Sequence, residues 1–284
     1  MTLSLGAIQM SMSADVNANL DTAERLVREA ASRGARMILI PELFEDVYFC
    51  KDVDAKHLQR ARPVEGHPTV ARFSALSREL GVVLPLSIFE RAGNALFNTV
   101  VMVDADGSQL GTYRKSHIPD GIGYSEKFYF APGDTGFRVW DTAHGRVGLG
   151  ICWDQWFPEC ARAMMLQGAE LLLYPTAIGS EPHDPSLDTS GPWQRAMVGH
   201  AVSNVVPVAA ANRIGDEDGQ VFYGHSFVAD HRGAIVSELG PGVEGVAAAA
   251  FDLDAVAKAR AAFGFFRDRR PDLYGALAGQ PPRR

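Results

Sequence analysis

The chain has 284 residues, of which 46% are hydrophobic and 21% charged, with 34 acidic side chains against 27 basic ones and a formal net charge of -7. This composition excludes a disordered, collagen-like or disulfide-stapled protein, and the length allows one large domain with a substantial core. The acidic balance argues against a sequence-independent grip on nucleic-acid phosphates and mildly favours neutral or cationic small partners.

The three cysteines point to free thiols. Cys50, Cys152 and Cys160 are an odd number spread over a long chain, which favours a reducing compartment over a disulfide framework. The first residues lack the pattern of a signal peptide, and no stretch reaches the roughly 18 apolar residues of a spanning helix. We therefore expect a cytoplasmic protein without a membrane partner.

Strand-helix-strand units dominate the first half of the sequence. Apolar residues recur at helical spacing from Val16 to Ala30, and a second helix opens at Pro68 and runs to Leu80. Short apolar runs predict strands at 3–9, 37–40, 82–89, 96–103 and 110–114. The turn residues at 104–107 join the last two strands as a hairpin.

The second half repeats this pattern. Apolar runs predict strands at 137–141, 146–151, 171–174, 206–211, 227–230, 235–238 and 246–252. Helices are expected at 158–167 and 193–204, a short loop at 215–220, and a polar loop long enough to border a site at 184–191. No linker separates the halves, so we expect a single α/β domain over residues 1–284.

Three polar residues each follow a different predicted strand. Glu42 comes directly after Pro41, Lys115 follows the hairpin, and Cys152 follows a buried strand. Ligands bind at the carboxyl ends of the strands in open α/β sheets, so the three side chains could converge on one rim. Together they could supply a general base, an oxyanion stabiliser and a nucleophile for acyl transfer.

Each of these residues also has a plainer interpretation. A cysteine that closes a buried strand is often a small core residue, as we expect for Cys160 and Cys50. Glu42 could simply lie at a helix N-terminus, where the dipole stabilises a carboxylate, and Lys115 could be solvated. It is the repetition of one strand-end position that favours the catalytic interpretation.

The sequence lacks the motifs of several other chemistries. It has no HExxH or CxxC pair, no GxGxxG after a strand and no Walker loop, so we expect neither a metal nor a nucleotide cofactor. Gly224-His225-Ser226 is not a nucleophile elbow. The basic stretch at 267–271 could contact RNA, but in an acidic chain it is better explained as a tail at a subunit interface.

The short sequence motifs around these three residues resemble those of the nitrilase, or carbon-nitrogen hydrolase, superfamily. They are Pro-Glu-Leu-Phe at 41–44, Tyr-Arg-Lys at 113–115 and Gly-Ile-Cys-Trp-Asp at 150–154. The resemblance implies a four-layer α-β-β-α sandwich with a Glu42, Lys115 and Cys152 triad. Glu126 resembles the second glutamate of that family, which helps to hold the lysine and position the substrate. A loop charge is its plainer interpretation.

A narrower resemblance to the N-carbamoylputrescine amidases runs over nearly the whole chain. It rests on the segments 44–50, 114–121, 152–159, 174–182 and 267–274. The sequence departs from the plant pattern at Ile122, at Cys160 and in the short loop at 215–220. The resemblance implies hydrolysis of N-carbamoylputrescine to putrescine, ammonia and carbon dioxide through a carbamoyl-cysteine, without metal or cofactor.

The same resemblance suggests where the substrate binds. A carbamoyl amine carries a terminal ammonium, whose far end needs an anion or an aromatic face. We expect Glu181, Trp153, Trp156 and Tyr129 to contact the substrate. Asp184 and Asp188 are as well explained by turn formation beside Pro185 and Ser190. Family members commonly form homo-oligomers, and residues 263–284 are the expected interface tail.

Other functions stay open at this point. An N-carbamoyl amino acid amidohydrolase or an omega-amidase would use the same triad but would need a cationic contact for a carboxylate. A catalytically silent nitrilase-like binding subunit would not require an intact triad. A redox thiol protein would not require Glu42 and Lys115 and would favour a partner cysteine.

Overall fold

The computed structural model describes residues 2–279. Fourteen strands follow one another in this part of the chain: β1 Thr2–Ser11, β2 Met37–Leu39, β3 Leu84–Ala92, β4 Ala95–Val103, β5 Gln109–Arg114, β6 Val139–Thr142, β7 Gly145–Leu149, β8 Leu171–Pro175, β9 Val208–Ala211, β10 Arg213–Glu217, β11 Gln220–Tyr223, β12 Phe227–Ala229, β13 Ile235–Glu238 and β14 Gly245–Asp252. The α-helices are α1 Val16–Ser32, α2 Pro68–Leu80, α3 Glu126–Tyr129, α4 Pro158–Leu166, α5 Ser190–Asn204 and α6 Leu253–Phe263.

Local capping fixes where the longer helices begin and end. The Asp15 carboxylate accepts hydrogen bonds from the first free backbone N–H groups of α1. Pro68 occupies the first turn of α2, where its missing N–H is not needed, and Gly81 ends that helix with a φ of 64°. The predicted bounds of α2 are those observed.

Two sheets form the centre of the molecule. In the first, β1 lies between β2, which is parallel, and β14, which is antiparallel, and the meander β3-β4-β5 continues beyond β2 through a parallel bridge between Met37 and Val83. The second has the order β13-β12-β9-β8-β7-β6, with β7, β8 and β9 parallel. Right-handed crossovers through helices are the usual way to connect such parallel strands.

Three apolar clusters show how the layers stack. One joins the facing sides of the two sheets, with Leu5 of β1 and Leu149 of β7 among its buried members. A second packs α1 and α2 on the outer face of the first sheet, and a third packs α4 and α5 on the outer face of the second. The expected four-layer α-β-β-α sandwich is confirmed.

The structure corrects two expectations for the second half. Residues 215–220 are not a loop, because β10 and β11 pair as an antiparallel hairpin that extends the first sheet through β1. The turn of this hairpin is Asp218-Gly219, with φ values of 53° and 92°, which suits a two-residue hairpin turn. Helix α6 was also not predicted; Asp252 caps it and Gly264 ends it.

Two further observations concern the state of the three cysteines and the character of the helices. Cys50, Cys152 and Cys160 are all free and buried. Cys160 packs with α4 and α5 in the outer cluster of the second sheet, as a small core residue would. Within residues 2–279, no helix combines the length and apolar character needed to cross a membrane.

Candidate active site

Topology explains why three distant residues meet. Glu42 follows β2, Lys115 follows β5, and Cys152 follows β7 and begins a short 3₁₀ helix, Cys152–Trp156. Because β3 runs parallel to β2 and two antiparallel steps separate β3 from β5, β2 and β5 end at the same edge of their sheet. The stacking of the two sheets brings Cys152 to the same rim, where it lines one cavity together with Glu126.

Lys115 holds two carboxylates at once. Its Nζ lies 2.8 Å from Glu42 Oε1 and 2.6 Å from Glu126 Oε2. All three side chains are buried, so each charge depends on the others. Burial by itself would lower the pKa of Lys115, but Glu126 and Glu42 outweigh it and hold that pKa well above its usual value. The ammonium therefore persists at neutral pH.

Glu126 is a buried carboxylate with a strongly raised pKa. Burial, followed by the charge of Glu42, raises its pKa to about 7, while Lys115 pulls in the opposite direction. Its Oε1 accepts a 2.6 Å hydrogen bond from the Tyr48 hydroxyl. This group changes its charge close to neutral pH.

The two oxygens of Glu42 are in different situations. Oε1 accepts from Lys115 and also from Asn98 Nδ2 at 2.6 Å. Oε2 is buried and has no hydrogen-bond partner within residues 2–279. A buried anionic oxygen without a donor is costly unless a function uses it. Oε2 is therefore the atom of this carboxylate that is free to accept a proton.

Cys152 lies in a strained turn that Asp154 supports. Its φ is 42°, an uncommon value for a residue other than glycine. The Asp154 carboxylate accepts from the Ile151 N–H at 2.9 Å, which closes the turn, and from the Tyr113 hydroxyl at 2.7 Å, which ties the turn to β5. Burial, followed by the charge of Glu42, raises the pKa of the Cys152 thiol well above its ordinary value. The resting group is a thiol that needs a base.

A cavity of about 160 Å³ opens above Cys152. Its lining consists of Pro119, Asp120, Gly121, Ile122, Tyr124, Glu126, Cys152, Trp153, Ala177, Ile178, Glu181 and His183. Three of these residues carry carboxylates and none is a lysine or an arginine. Burial raises the pKa of Glu181 above its ordinary value, and His183 Nδ1 lies 3.8 Å from its Oε2. The cavity is small and acidic.

Comparison with known proteins identifies the family. Residues 4–261 match the model of the carbon-nitrogen hydrolase family. The chain belongs to this family. An N-carbamoylputrescine amidase of Solanum tuberosum is 54% identical over 283 residues, covering 97% of this chain and 94% of the relative. A citrullinase of Francisella tularensis is 48% identical over 279 residues, covering 97% of this chain and 98% of the relative.

Solved structures agree with the sequence comparison. The crystal structure of a carbon-nitrogen hydrolase from Helicobacter pylori G27 superposes with a TM-score of 0.93, at 35% identity and over 99% of each chain. The resemblance to the superfamily found in the sequence is thereby confirmed. This carbon-nitrogen hydrolase is an amidase-type enzyme rather than a redox thiol protein.

The structure brings some of the predicted substrate contacts to the cavity and not others. Trp153 and Glu181 line it. Trp156 does not line it; its indole packs edge-on against Trp153, with ring centroids 6.3 Å apart. Tyr129 is also away from the cavity, because its buried hydroxyl donates to the Asp52 carbonyl at 2.5 Å. The aromatic character of Tyr129 did not lead to the cavity, because its ring packs in a local apolar core.

The two aspartates of the polar loop form turns. Asp184 Oδ1 accepts from the Ser186 N–H at 3.1 Å, and Asp188 Oδ1 accepts from the Ser190 N–H at 2.9 Å. Neither lines the cavity. Of the two interpretations that the sequence left open for them, the turn-forming one describes the observed contacts.

The carbon-nitrogen hydrolase fold also places residues at the site that sequence reasoning missed. Asn98 and Tyr48 donate to the two glutamates, and Asp120 and Tyr124 line the cavity. Asn98 lies inside a strand of apolar residues, where one buried amide was the available signal. Asp120 lies within the segment 114–121 that carried the family resemblance, but its sequence neighbourhood does not show which way its side chain points.

Proposed function

We propose that this carbon-nitrogen hydrolase converts N-carbamoylputrescine and water to putrescine, ammonia and carbon dioxide. The observation that carries the proposal is the acidic cavity above the Cys152 thiol, with no lysine or arginine in its lining. Such a cavity suits a ureido group that is linked to a terminal ammonium. The 54% identical relative carries the name of this activity.

The triad geometry supports a covalent mechanism. Glu42 Oε2 takes the proton of Cys152 Sγ, and the thiolate attacks the ureido carbon. Lys115 and the backbone N–H of Trp153 stabilise the oxyanion, each donor contributing about 3 kcal/mol in comparable sites. The C–N bond to the terminal nitrogen breaks, and the proton held by Glu42 leaves with ammonia. Glu126 keeps Lys115 oriented through its 2.6 Å contact.

The second half of the cycle regenerates the thiol. Glu42 removes a proton from water, the resulting hydroxide attacks the acyl carbon, the C–S bond breaks, and the proton on Glu42 returns to the Cys152 sulfur. The product carbamic acid loses carbon dioxide to give the free amine. No redox step occurs, and the reaction balances with one water consumed.

Two carboxylates can receive the far end of the substrate. Glu181 and Asp120 both line the cavity, and an aliphatic ammonium can pair with either. Ile122 and Trp153 offer apolar surface for the methylene chain between the two polar ends. A substrate with a carboxylate at this end would meet like charges, which favours the amine over an N-carbamoyl amino acid or an omega-amide.

Citrulline is the second candidate substrate, because the 48% identical relative is a citrullinase. It shares the ureido group but ends in both an ammonium and a carboxylate. His183, if protonated, is the one lining side chain that could pair with that carboxylate. Because no lysine or arginine lines the cavity, we expect citrulline to be the poorer substrate.

Ammonia release tests the proposal directly. Purified enzyme is assayed with N-carbamoylputrescine, citrulline, N-carbamoyl amino acids and simple amides, in parallel with Cys152→Ala. We expect the carbamoyl amine to give the highest kcat/KM and the variant to show no turnover. A higher kcat/KM for a carboxylate-bearing substrate, or activity that survives the substitution, would overturn the assignment.

Glu181→Gln tests the ammonium contact. The amide keeps the shape but loses the charge, so KM for N-carbamoylputrescine should rise about tenfold or more, the range for loss of a charged hydrogen bond. The matched control is Asp184→Asn, which removes a carboxylate from the same loop but outside the cavity and should leave KM unchanged. An unchanged KM in Glu181→Gln refutes the contact.

We further propose a cytoplasmic homo-oligomer with one domain over residues 1–284. The thiol chemistry requires a compartment that keeps Cys152 reduced. Residues 263–284 are proposed as the interface tail; residues 280–284 lie outside the described part of the chain. Within the described part, Phe263, Leu273 and Leu277 are more than half exposed, and the Phe263 ring stacks on that of Phe265 with centroids 5.2 Å apart.

A further inference from the structure

The guanidinium of Arg213 is fully buried and donates hydrogen bonds to backbone carbonyls behind the active site. It lies on β10 and donates to the carbonyl oxygens of Glu42 at 2.9 Å and of Leu43 at 2.7 Å. Its other terminal nitrogen donates to the Asp46 carbonyl at 3.0 Å and pairs with Glu217 Oε1 at 2.9 Å. One side chain therefore fixes three carbonyls of the turn that carries Glu42.

Glu217 extends this connection to the second carboxylate. Its Oε2 accepts a hydrogen bond from the backbone N–H of Tyr48. The Tyr48 hydroxyl in turn donates to Glu126, and the guanidinium of Arg213 lies 5.8 Å from the centre of the Tyr48 ring. The Arg213–Glu217 pair thus reaches Glu42 through its backbone and Glu126 through Tyr48.

The turn at Glu42 needs such support. Leu43 has a φ of 50°, a left-handed conformation that costs energy for a residue with a β-carbon. Its N–H donates to Ser87 Oγ at 3.0 Å and its carbonyl accepts from Arg213. The direction of the Glu42 side chain follows from this strained turn. A change in the hydrogen bonds from Arg213 to the turn would therefore move Glu42 Oε2.

We propose that Arg213 and Glu217 form a positioning pair that holds Glu42 and Glu126 in their orientations around Lys115. Neither residue lines the cavity, so the pair acts through the carboxylates and not on the substrate. A buried ion pair is weak evidence for stability, since an apolar pair of similar size often serves as well. The planar fork serves several acceptors at fixed angles, which a lysine ammonium cannot reproduce.

The experiment compares Arg213→Lys and Glu217→Gln with wild type. In folded enzyme, kcat should fall roughly 10- to 100-fold, as expected when reacting groups are misplaced by about 1 Å, while KM changes less than about threefold. The inference rests on the proposed chemistry of Cys152, so a second readout avoids the proposed substrate. Alkylation of Cys152 by iodoacetamide, followed by mass spectrometry, should slow by a similar factor.

Leu26→Ala provides the control for simple destabilisation. Leu26 is a buried residue of α1 on the outer face of the first sheet, and its truncation should lower Tm without changing kcat per folded molecule. If both variants of the pair lower Tm but keep kcat and the alkylation rate within about twofold of wild type, the pair is scaffold and the proposal is wrong. If Arg213→Lys does not fold, Glu217→Gln decides by the same criteria.

The two readouts separate the possible failures. Slow alkylation in the variants with no turnover of N-carbamoylputrescine by wild type would keep the positioning role and refute the proposed substrate. Normal alkylation and normal kcat in the variants, with turnover by wild type, would refute the positioning role alone.

Discussion

At the scale of single residues, the site is a balance of buried charges. Lys115 lies between two carboxylates, and all three side chains are buried. Burial is the first cause of the raised pKa of both the Cys152 thiol and Glu126, and the charge of Glu42 adds to it. The arrangement favours a base next to a neutral thiol over a preformed thiolate.

Glu126 should therefore set the acid limb of the pH profile. Below a pH of about 7 it is protonated, and its 2.6 Å pairing with the Lys115 ammonium, which orients this oxyanion donor, weakens. We predict that kcat/KM falls as the pH is lowered through about 7. Glu126→Gln should be slow at every pH and should lack this limb. An unchanged limb in the variant would assign it to another group.

The same pKa has a consequence for stability. Because it is raised above 4.5, the folded state binds a proton that the unfolded state has released between pH 4.5 and about 7. Stability from this group is complete below that window and is lost as the pH rises through it. As the pH rises through this window, the Tm of wild type should fall relative to that of Glu126→Gln. Thermal unfolding at fixed ionic strength measures this difference.

At the scale of elements, the hairpin β10–β11 organises the entrance to the site. Ser180 N donates to the Val221 carbonyl at 2.7 Å, and Gly179 pairs with Phe222 of β11, so the segment that leads to Glu181 is docked on the hairpin edge. The Tyr124 hydroxyl adds a 3.1 Å bond to the Ser180 carbonyl. The position of Glu181 thus depends on contacts far from it in sequence.

Gly179→Ala tests this docking. A β-carbon at this position would lie 2.0 Å from the Val221 carbonyl oxygen, so the segment must move away from β11. We predict a several-fold rise in KM for the cationic substrate together with a lower Tm. Gly199→Ala is the matched control, because a β-carbon there meets no atom within 4 Å and alanine favours the helix. Equal effects of the two substitutions would contradict the docking role.

At the scale of the whole molecule, the C-terminal part of the described chain carries several exposed apolar side chains. Phe263 and Phe265 stack at 5.2 Å between ring centroids, and Leu273 and Leu277 follow on the short helix Pro271–Ala278. These side chains belong to the described part of the proposed tail at 263–284. A second copy of the chain is the occupant that the family resemblance led us to expect.

Charge placed on this surface should lower the oligomeric mass. We predict that the double substitution Leu273→Glu and Leu277→Glu shifts the mass measured by light scattering towards a single chain, because buried carboxylates without partners oppose association. Val243→Glu is the control, since Val243 is a half-exposed residue of the turn before β14. An unchanged mass in the double variant would place the interface elsewhere or leave the protein monomeric.

Periodicity and local motifs were enough to predict most helices and strands and the three strand-end residues, whereas the four layers were implied by the family resemblance. Apolar strand segments alternate with amphipathic helical segments, and turn residues separate them. This pattern is local, because each segment shows it in its own sequence. It predicted α1, α2 and the hairpin β4–β5 close to their observed bounds. It also placed Glu42, Lys115 and Cys152 at strand ends, where topology makes them converge.

Tertiary structure decided which polar residues surround those three. Four further polar residues reach the site from distant elements. Asn98 comes from β4, Tyr48 from the turn after Glu42, and Arg213 and Glu217 from β10. Their contacts span up to 171 residues of sequence, and no local pattern encodes them. Tyr129 and Trp156 failed as cavity residues for the same reason. Side-chain direction is set by packing between layers, which exists once the two sheets have stacked.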